Sequence, residues 1–436
     1  MRTAHKSQVV SDITNQRYDQ GGRSSDRVSS SDSSRFRSHR SVSMKPILIS
    51  FLILLSISTA GLIIYYSVDL SNDNVIAPSF TSQNEVVDIS AGYKHSLVLL
   101  DNGEVYSFGS GEHGQLGHNN TEDYYLPTLI VALNGVKDIS AGAFHSLVLI
   151  ENGDVYSFGR GEYFQLGHGH TEDRLVPTRI DALSDINAVS AGSRHSLVLC
   201  EDSSIYSFGS GLHGQLGQGD TSDITLPTII ENLPPVNKVQ TGSRSSLILL
   251  ENSNVYSFGN GEYGRLGHGD EMDRLVPSKI EELTEVKDIA AQSWHCLVLK
   301  ENGDVYSFGN GEYGRLGHGD QQDRLEPSKI SGLGGVKTIS VGWEYSLVLL
   351  ENGEVYSFGR NDYGQLGHGD KNDRLVPAKI EGIPRIRAIS AGWWHSLLLC
   401  EDGEVYSFGR GEEGRLGHGD TGNLLEPTLI SGINLN

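Results

Sequence analysis

Cysteine, methionine and tryptophan are scarce in this chain of 436 residues, at three, three and four. Three cysteines build no disulfide framework. Cys200 and Cys400 fall at one repeat position, and Cys296 stands where equivalent segments have Ser. They read as small strand residues rather than reactive thiols. Basic residues are also few, 34 against 55 acidic, for a formal net charge of −21. That balance argues against nucleic-acid binding by the body of the protein. Helical periodicity is missing, because Gly, at 53 residues, interrupts every stretch. A helical solenoid is thereby excluded. Long apolar runs are missing too, with one exception.

The exception is residues 46–68, PILISFLILLSISTAGLIIYYSV, 23 residues without a charge. As a helix they span about 34 Å, enough for a hydrocarbon core of about 30 Å. A cleaved signal peptide would have a shorter apolar core near the start of the chain, so a retained transmembrane helix is expected. Arg35, Arg37, Arg40 and Lys45 precede it, whereas Asp69 and Asp73 follow it. The positive-inside rule therefore puts the N-terminus in the cytosol and the C-terminal body outside the cell or in a lumen. Residues 1–45, rich in Ser and Arg, are expected to be a disordered basic tail, and 69–84 a short polar linker. Asn119 heads a sequon, Asn119-Asn120-Thr121, and is a glycosylation candidate on that topology.

The remainder, 85–436, is periodic. VYSFG or IYSFG begins at 105, 155, 205, 255, 305, 355 and 405, with no insertion or deletion. A fifty-residue period repeated seven times is a repeat architecture. One unit carries a VKDIS-type strand, a fully apolar HSLVL-type strand, an Asn-Gly turn, the β-rich VYSFG, and a P-x-x-I segment suited to an edge strand. Four strands per period and no helix give an all-β fold, a seven-bladed β-propeller. The final PTLI, at 427–430, is expected to pair back into the first blade and so close the ring.

Gly259, Gly261 and Gly264 spell G-x-G-x-x-G, but a dinucleotide site needs those glycines between a strand and a helix. No helix follows, and the pattern recurs around the ring, broken only by Phe164 and Asn361. These glycines read as positive-φ and close-packing positions. His118, His168, His268, His318, His368 and His418 share one position, with Gln218 as the exception; His95, His145, His195, His295 and His395 share another, replaced by Ser245 and Tyr345. Such residues lie one per blade, so the expectation is hydrogen bonds that lock loops, with no metal site. No catalytic constellation is visible, and neither an enzyme activity nor a cofactor is expected.

The pattern G-x-G-x-x-G-x-L-G-H-G with S-A-G-x-x-H-S-L-x-L resembles the regulator of chromosome condensation repeat family over residues 86–430. The resemblance implies a seven-bladed propeller. The family includes an exchange factor for a small GTPase, a plant ultraviolet-B photoreceptor and propeller modules of HECT-type ubiquitin ligases, so fold does not decide function. The resemblance to the exchange factor is weakened by uniform periods that leave no room for an inserted β-wedge. That to the photoreceptor is weakened by QSWHC, GWEYS and GWWHS in place of its Trp-Arg motifs.

Within the chain, the two residues between SAG and HS vary most informatively. They include Tyr93, Lys94, Phe144, Arg194, Arg244, Trp294, Trp343, Trp393 and Trp394, and they hold all four tryptophans. Equivalent loops of a propeller share a face, so these residues predict one surface rich in aromatics and Arg, the side chains enriched at binding hot spots. The competing expectation is that the rings bury themselves over the axis. The chain reads as a membrane-anchored interaction module for a protein or peptide ligand. A guanine-nucleotide exchange factor is the first alternative and a tryptophan-dependent photoreceptor dimer the second.

Overall fold

The computed structural model describes residues 84–433. The tail expected over 1–45, the membrane helix over 46–68 and all but the last residue of the linker over 69–84 lie outside the described residues. Among the described residues no helix is long and apolar enough to cross a membrane.

Seven antiparallel four-stranded sheets make the propeller. In blade one the strands are β1 (Val86–Ala91), β2 (His95–Leu100), β3 (Val105–Gly109) and β4 (Tyr124–Leu129), hydrogen-bonded in chain order. The other six blades repeat this every fifty residues. β2 is buried at all six positions, as its unbroken apolar run requires. β4 carries Pro127 and is the half-exposed outer edge, where a missing N–H costs least. The β2–β3 turn spans three residues rather than two. Gly103 alone takes the positive φ, at 78°, while Asn102 Oδ1 accepts the Glu104 N–H at 2.9 Å.

The expected closure by the final PTLI is corrected. Residues 427–429 belong to strand Leu424–Leu429, which pairs with Val405–Gly409 of its own blade. Blade one supplies its own fourth strand, β4. The long loop after each third strand lets the outer strand fold back on its own sheet, so no strand is exchanged. Blade seven meets blade one through lateral bonds of kinds that recur at other joints, the last of the three below at all seven. Trp393 N–H donates to Gly92 O at 3.2 Å, Ala91 N–H to Ser390 Oγ at 3.0 Å, and Gly419 N–H to Tyr125 O at 2.8 Å.

The core is a set of apolar clusters, one at each joint. Phe158, for example, packs with Leu97, Leu99 and Val148 between blades one and two. The first strands gather round the axis, each against its neighbours. There Asp288 is ion-paired with Lys238 and accepts a hydrogen bond from Thr338 Oγ1 at 3.0 Å. Asp88 and Asp138 have no such cation pair, and burial pushes their carboxyls up, to about 7 and about 6.

The histidines lock loops. Ser107 Oγ and His118 Nε2 lie 2.8 Å apart; in blade three Gln218 Nε2 donates to Ser207 Oγ at 3.1 Å instead. The second set crosses the joints. His95 Nε2 is 2.9 Å from Ser146 Oγ of the next blade, and that hydroxyl donates to Gln115 O at 2.9 Å. A hydroxyl spending its proton on a carbonyl must accept from the ring, which fixes the Nε2–H tautomer. Burial holds His95 neutral, pushed down to about 3. Tyr345 spans its joint differently: its hydroxyl donates to His395 O at 2.5 Å and accepts from Ser396 Oγ at 2.9 Å. All three cysteines are buried and free.

Candidate functional site

The turns between the first and second strands, and the long loops between the third and fourth, emerge on one face of the ring. All nine residues singled out above lie on those turns. None is fully exposed, so the face is packed as well as displayed: Trp393 is buried and the others are half-buried.

The two residues of each turn behave differently. The large first ones, Tyr93, Trp343 and Trp393, stack from blade to blade, and the second residues Trp294 and Phe144 extend the row at its ends. Tyr93 and Trp393 have ring centroids 4.0 Å apart, Trp393 and Trp343 3.8 Å, and Trp343 meets Trp294 at 5.8 Å, edge to face. Tyr93 continues to Phe144 at 5.2 Å. The result is an arc of rings over blades five, six, seven, one and two. On the opposite side the first residues are small: Ala143, Ser193, Ser243 and Ser293.

The second residue of each turn reaches over the long loop of the preceding blade and meets one position there. Phe144 packs on His113 at 5.6 Å, Trp294 on Tyr263 at 5.6 Å and Trp394 on Tyr363 at 5.3 Å. Arg194 lies 4.4 Å over Tyr163. Lys94 pairs with Glu413 at 3.3 Å. Arg244 lies near His213, whose proton affinity is lowered by burial and then by Arg244. Glu344 and Tyr313 are bridged by Arg360, 2.5 Å from the Glu344 carboxylate and 4.6 Å over the Tyr313 ring.

These loop residues were missed in the sequence reading. The signal was present: His113, Tyr163, His213, Tyr263, Tyr313, Tyr363 and Glu413 vary from unit to unit at one position, as the turn residues do. Their variation is coupled, cation to acid and ring to ring, because each touches the next blade.

A third layer lies beneath. Gln115, Gln165 and Gln365 are fully buried and cap the loop; Gln115 Oε1, for instance, accepts the His113 N–H at 2.9 Å. Arg265, Arg315 and Arg415 occupy that position in other blades, each at most 1% exposed. Their guanidinium groups reach the neighbouring turn: Arg265 Nη1 donates to Ser293 O at 3.2 Å, Arg415 Nη1 to Tyr93 O at 3.1 Å. Arg265 also lies 4.5 Å over Trp294. Burial lowers the proton affinity of Arg265, to about 10, which leaves it charged.

The glycines are steric requirements. A Cβ on Gly111 would stand 1.9 Å from Glu122 O, and on Gly109, at φ 110°, 2.3 Å from Lys94 O. The two departures from the motif fit locally. Phe164 keeps the positive φ, at 62°, and Asn361 Nδ2 donates to Asp370 O at 2.9 Å. Among the described residues no group of three or more His, Cys, Asp or Glu side chains is arranged to hold a metal ion. Asn119 is exposed on the long loop of blade one, so a glycan has room there.

The sequence model of the RCC1-like domain family matches residues 67–236 and 226–436. Short segments are similar to curated proteins. The chain is 46% identical over 65 residues to the Arabidopsis thaliana ultraviolet-B receptor UVR8, which is 15% of this chain and 14% of that protein. It is 47% identical over 57 residues to the zebrafish (Danio rerio) E3 ubiquitin-protein ligase MYCBP2, 13% of this chain and 1% of that protein. These matches therefore span only a small part of the relatives' length. Among solved structures it is similar to human WBSCR16, with a TM-score of 0.69 at 23% identity over 76% of this chain and 94% of that one. Yeast RCC1 (Prp20) bound to Kap60 gives 0.70 at 21%, over 84% and 92%. At such identities the structures speak for the fold.

Proposed function

Because the chain belongs to the RCC1-like domain family, we propose that its propeller is a protein-interaction module that docks a partner on the turn-and-loop face. The observation that carries this reading is the arc of Tyr93, Trp393, Trp343 and Trp294 on the same face as Arg194 and Arg244. Packing alone needs the rings that are buried; it does not need the half-buried Arg194 and Arg244 on the same face. The partners named for relatives support the reading as analogy: one solved structure shows Prp20 with Kap60, and another describes binding of Prp20p to Gsp1p and histones.

The test is proximity labelling in cells with the wild type and a Trp343→Ala/Arg244→Glu variant whose thermal melting is first shown to match. Loss of a defined set of neighbours is the expected result. An unchanged set overturns the docking face. Exchange activity on a small GTPase remains the alternative, weakened by seven uniform periods that carry no inserted element. Rapid release of labelled GDP from a GTPase in the presence of the protein would reverse the order of the two readings.

The membrane tether belongs to the same proposal. Its support is the uncharged run at 46–68 and the basic residues that precede it. Protease added to sealed vesicles leaves the propeller intact on this topology, and digestion of the propeller refutes it.

A further inference from the structure

Arg194 and Arg244 differ from the other cations of this face. Lys94, Arg160, Arg265, Arg315, Arg360, Arg410 and Arg415 each lie within 4.0 Å of a carboxylate. Among the described residues Arg194 and Arg244 form no ion pair and no side-chain hydrogen bond. They sit in adjacent blades, and burial, then the nearby Arg194, lower the proton affinity of Arg244. Tyr163 supports the flat of the Arg194 guanidinium at 4.4 Å, which leaves the donor edge of the fork free. Glu262, whose charge favours that of Arg244, is committed to Arg265, 3.8 Å from its Nη2.

Further signs lie in blades three, four and five, the two that carry these arginines and the next one on. Ser193 Oγ and Ser293 Oγ are buried with no hydrogen-bond partner, and so is Arg265 Nη2. Buried donors are ordinarily satisfied. The first turn positions here are Ser193, Ser243 and Ser293, where blades six, seven and one place Trp343, Trp393 and Tyr93. Large side chains thus cover one side of the axis and leave the other to short hydroxyls and two free guanidinium groups.

We propose that the Arg194–Arg244 sector takes the carboxylate side chains of an acidic segment of a partner protein, with an apolar residue of that segment lying on the Tyr93–Trp393–Trp343 arc. This rests on the reading of the face as a docking surface and adds the chemistry of the partner. A carboxylate suits the Arg fork, which binds it bidentately. A nucleic acid is a poor occupant, because the net charge of −21 repels an extended polyanion. A short acidic segment pays that repulsion over a few residues only and gains the apolar contact beside it.

The experiment uses the full chain and fluorescein-labelled ten-residue peptides read by fluorescence anisotropy. The probe is GSEELWEEGS; the comparisons replace every Glu by Gln, by Lys, or the central LW by SS. Binding of the Glu peptide is expected to weaken at least tenfold with the Gln peptide, in the Arg194→Gln/Arg244→Gln variant, and between 50 and 500 mM salt, as charge-paired contacts do. Arg324→Gln, which removes an outer-strand arginine paired with Asp320, is expected to leave binding unchanged. Should the double Gln variant melt early, Arg194→Lys/Arg244→Lys keeps the charge and is expected to lose only the bidentate part. Equal binding of the Gln peptide, preference for the Lys peptide, unchanged binding in the double variant, or no binding of any peptide each overturns the proposal. If the labelling pattern still depends on Trp343 while the acidic peptide fails, the docking face stands and its acidic partner does not.

Discussion

The joint between blades four and five is the place to test how the ring is held. At most other joints a buried His donates to the Ser hydroxyl of the next blade, with distances from 2.8 to 3.0 Å. Here both partners have changed together: Ser245 replaces the His, and Cys296 replaces the Ser. What is left is a thiol 3.4 Å from Arg265 O. Restoring the pair as Ser245→His/Cys296→Ser adds one buried neutral hydrogen bond and turns a weak S–H donor into an O–H donor. A buried hydrogen bond contributes about 1 kcal/mol net, so the double variant gains about 1–2 kcal/mol. For a domain this large that is a rise in Tm of about 1–4 °C. Ser245→His alone places a ring N–H against sulfur and is expected to be neutral or destabilising. The two changes should therefore couple by about 1 kcal/mol in a double-mutant cycle followed by urea unfolding. Additive effects, or a double variant no more stable than Ser245→His alone, would refute the view that this hydrogen bond is a joint-holding element.

The remaining predictions concern the axis, the loops and the face. Asp88 has its carboxyl raised from 3.8 to about 7 by burial and by Asp138. The native state thus holds a proton that the unfolded chain has released, and stability falls as pH rises from about 4 to about 7. Asp88→Asn keeps the acceptor for the Ile89 N–H, 2.8 Å away, and is expected to stabilise the protein by about 2–4 kcal/mol at pH 8 and little at pH 4; equal urea midpoints for both proteins at pH 8 would contradict this. Gly111→Ala drives a methyl into Glu122 O, and is expected to cost about 3 kcal/mol or more and to abolish soluble expression of the blade-one loop in its native form, checked by limited proteolysis. Trp393→Ala removes the buried ring between Tyr93 and Trp343; a loss of about 3–5 kcal/mol is expected, read by urea unfolding.

The fold was legible because each local signal was repeated seven times. The apolar HSLVL-type strand and the Pro of the outer strand recur in every unit, and the Gly of the turn in five, with Ser203 and Ser253 keeping its positive φ in the other two. The closure was misread because a P-x-x-I segment says that a strand lies at an edge and nothing about which sheet owns that edge. Ownership is decided by the loop from Ser110 to Asp123, whose Gly111 N–H is held by Asp123 Oδ1 at 2.9 Å, so the chain doubles back before the outer strand begins. The turn residues were found because they vary against a constant background. Their partners at His113 and its equivalents went unseen because the contact joins one unit's loop to the next unit's turn, about thirty residues on, and a comparison of units aligned one over another never sets those two positions side by side.

That offset explains how the face was diversified. A turn residue and the preceding loop residue form a pair that straddles a joint, so a change in either is felt in one place. Lys94 with Glu413, Arg194 with Tyr163 and Trp294 with Tyr263 are three solutions to one steric problem. The Gly at positions such as Gly109 and Gly117 recurs in every blade beneath them, and a His–Ser bond holds five of the seven joints. Exchanging the Lys94 and Glu413 pair for Trp and Tyr, as at Trp294 and Tyr263, should therefore be tolerated only when both are changed. The double variant is expected to melt within about 1 °C of wild type, because a partly exposed ion pair contributes only about 0–1 kcal/mol. The Lys94→Trp single variant leaves Glu413 facing an indole, with only Arg415 to pair with it, and is expected to melt lower than the double. If the single variant melts no lower than the double, the joint-by-joint pairing does not govern which side chains this face accepts.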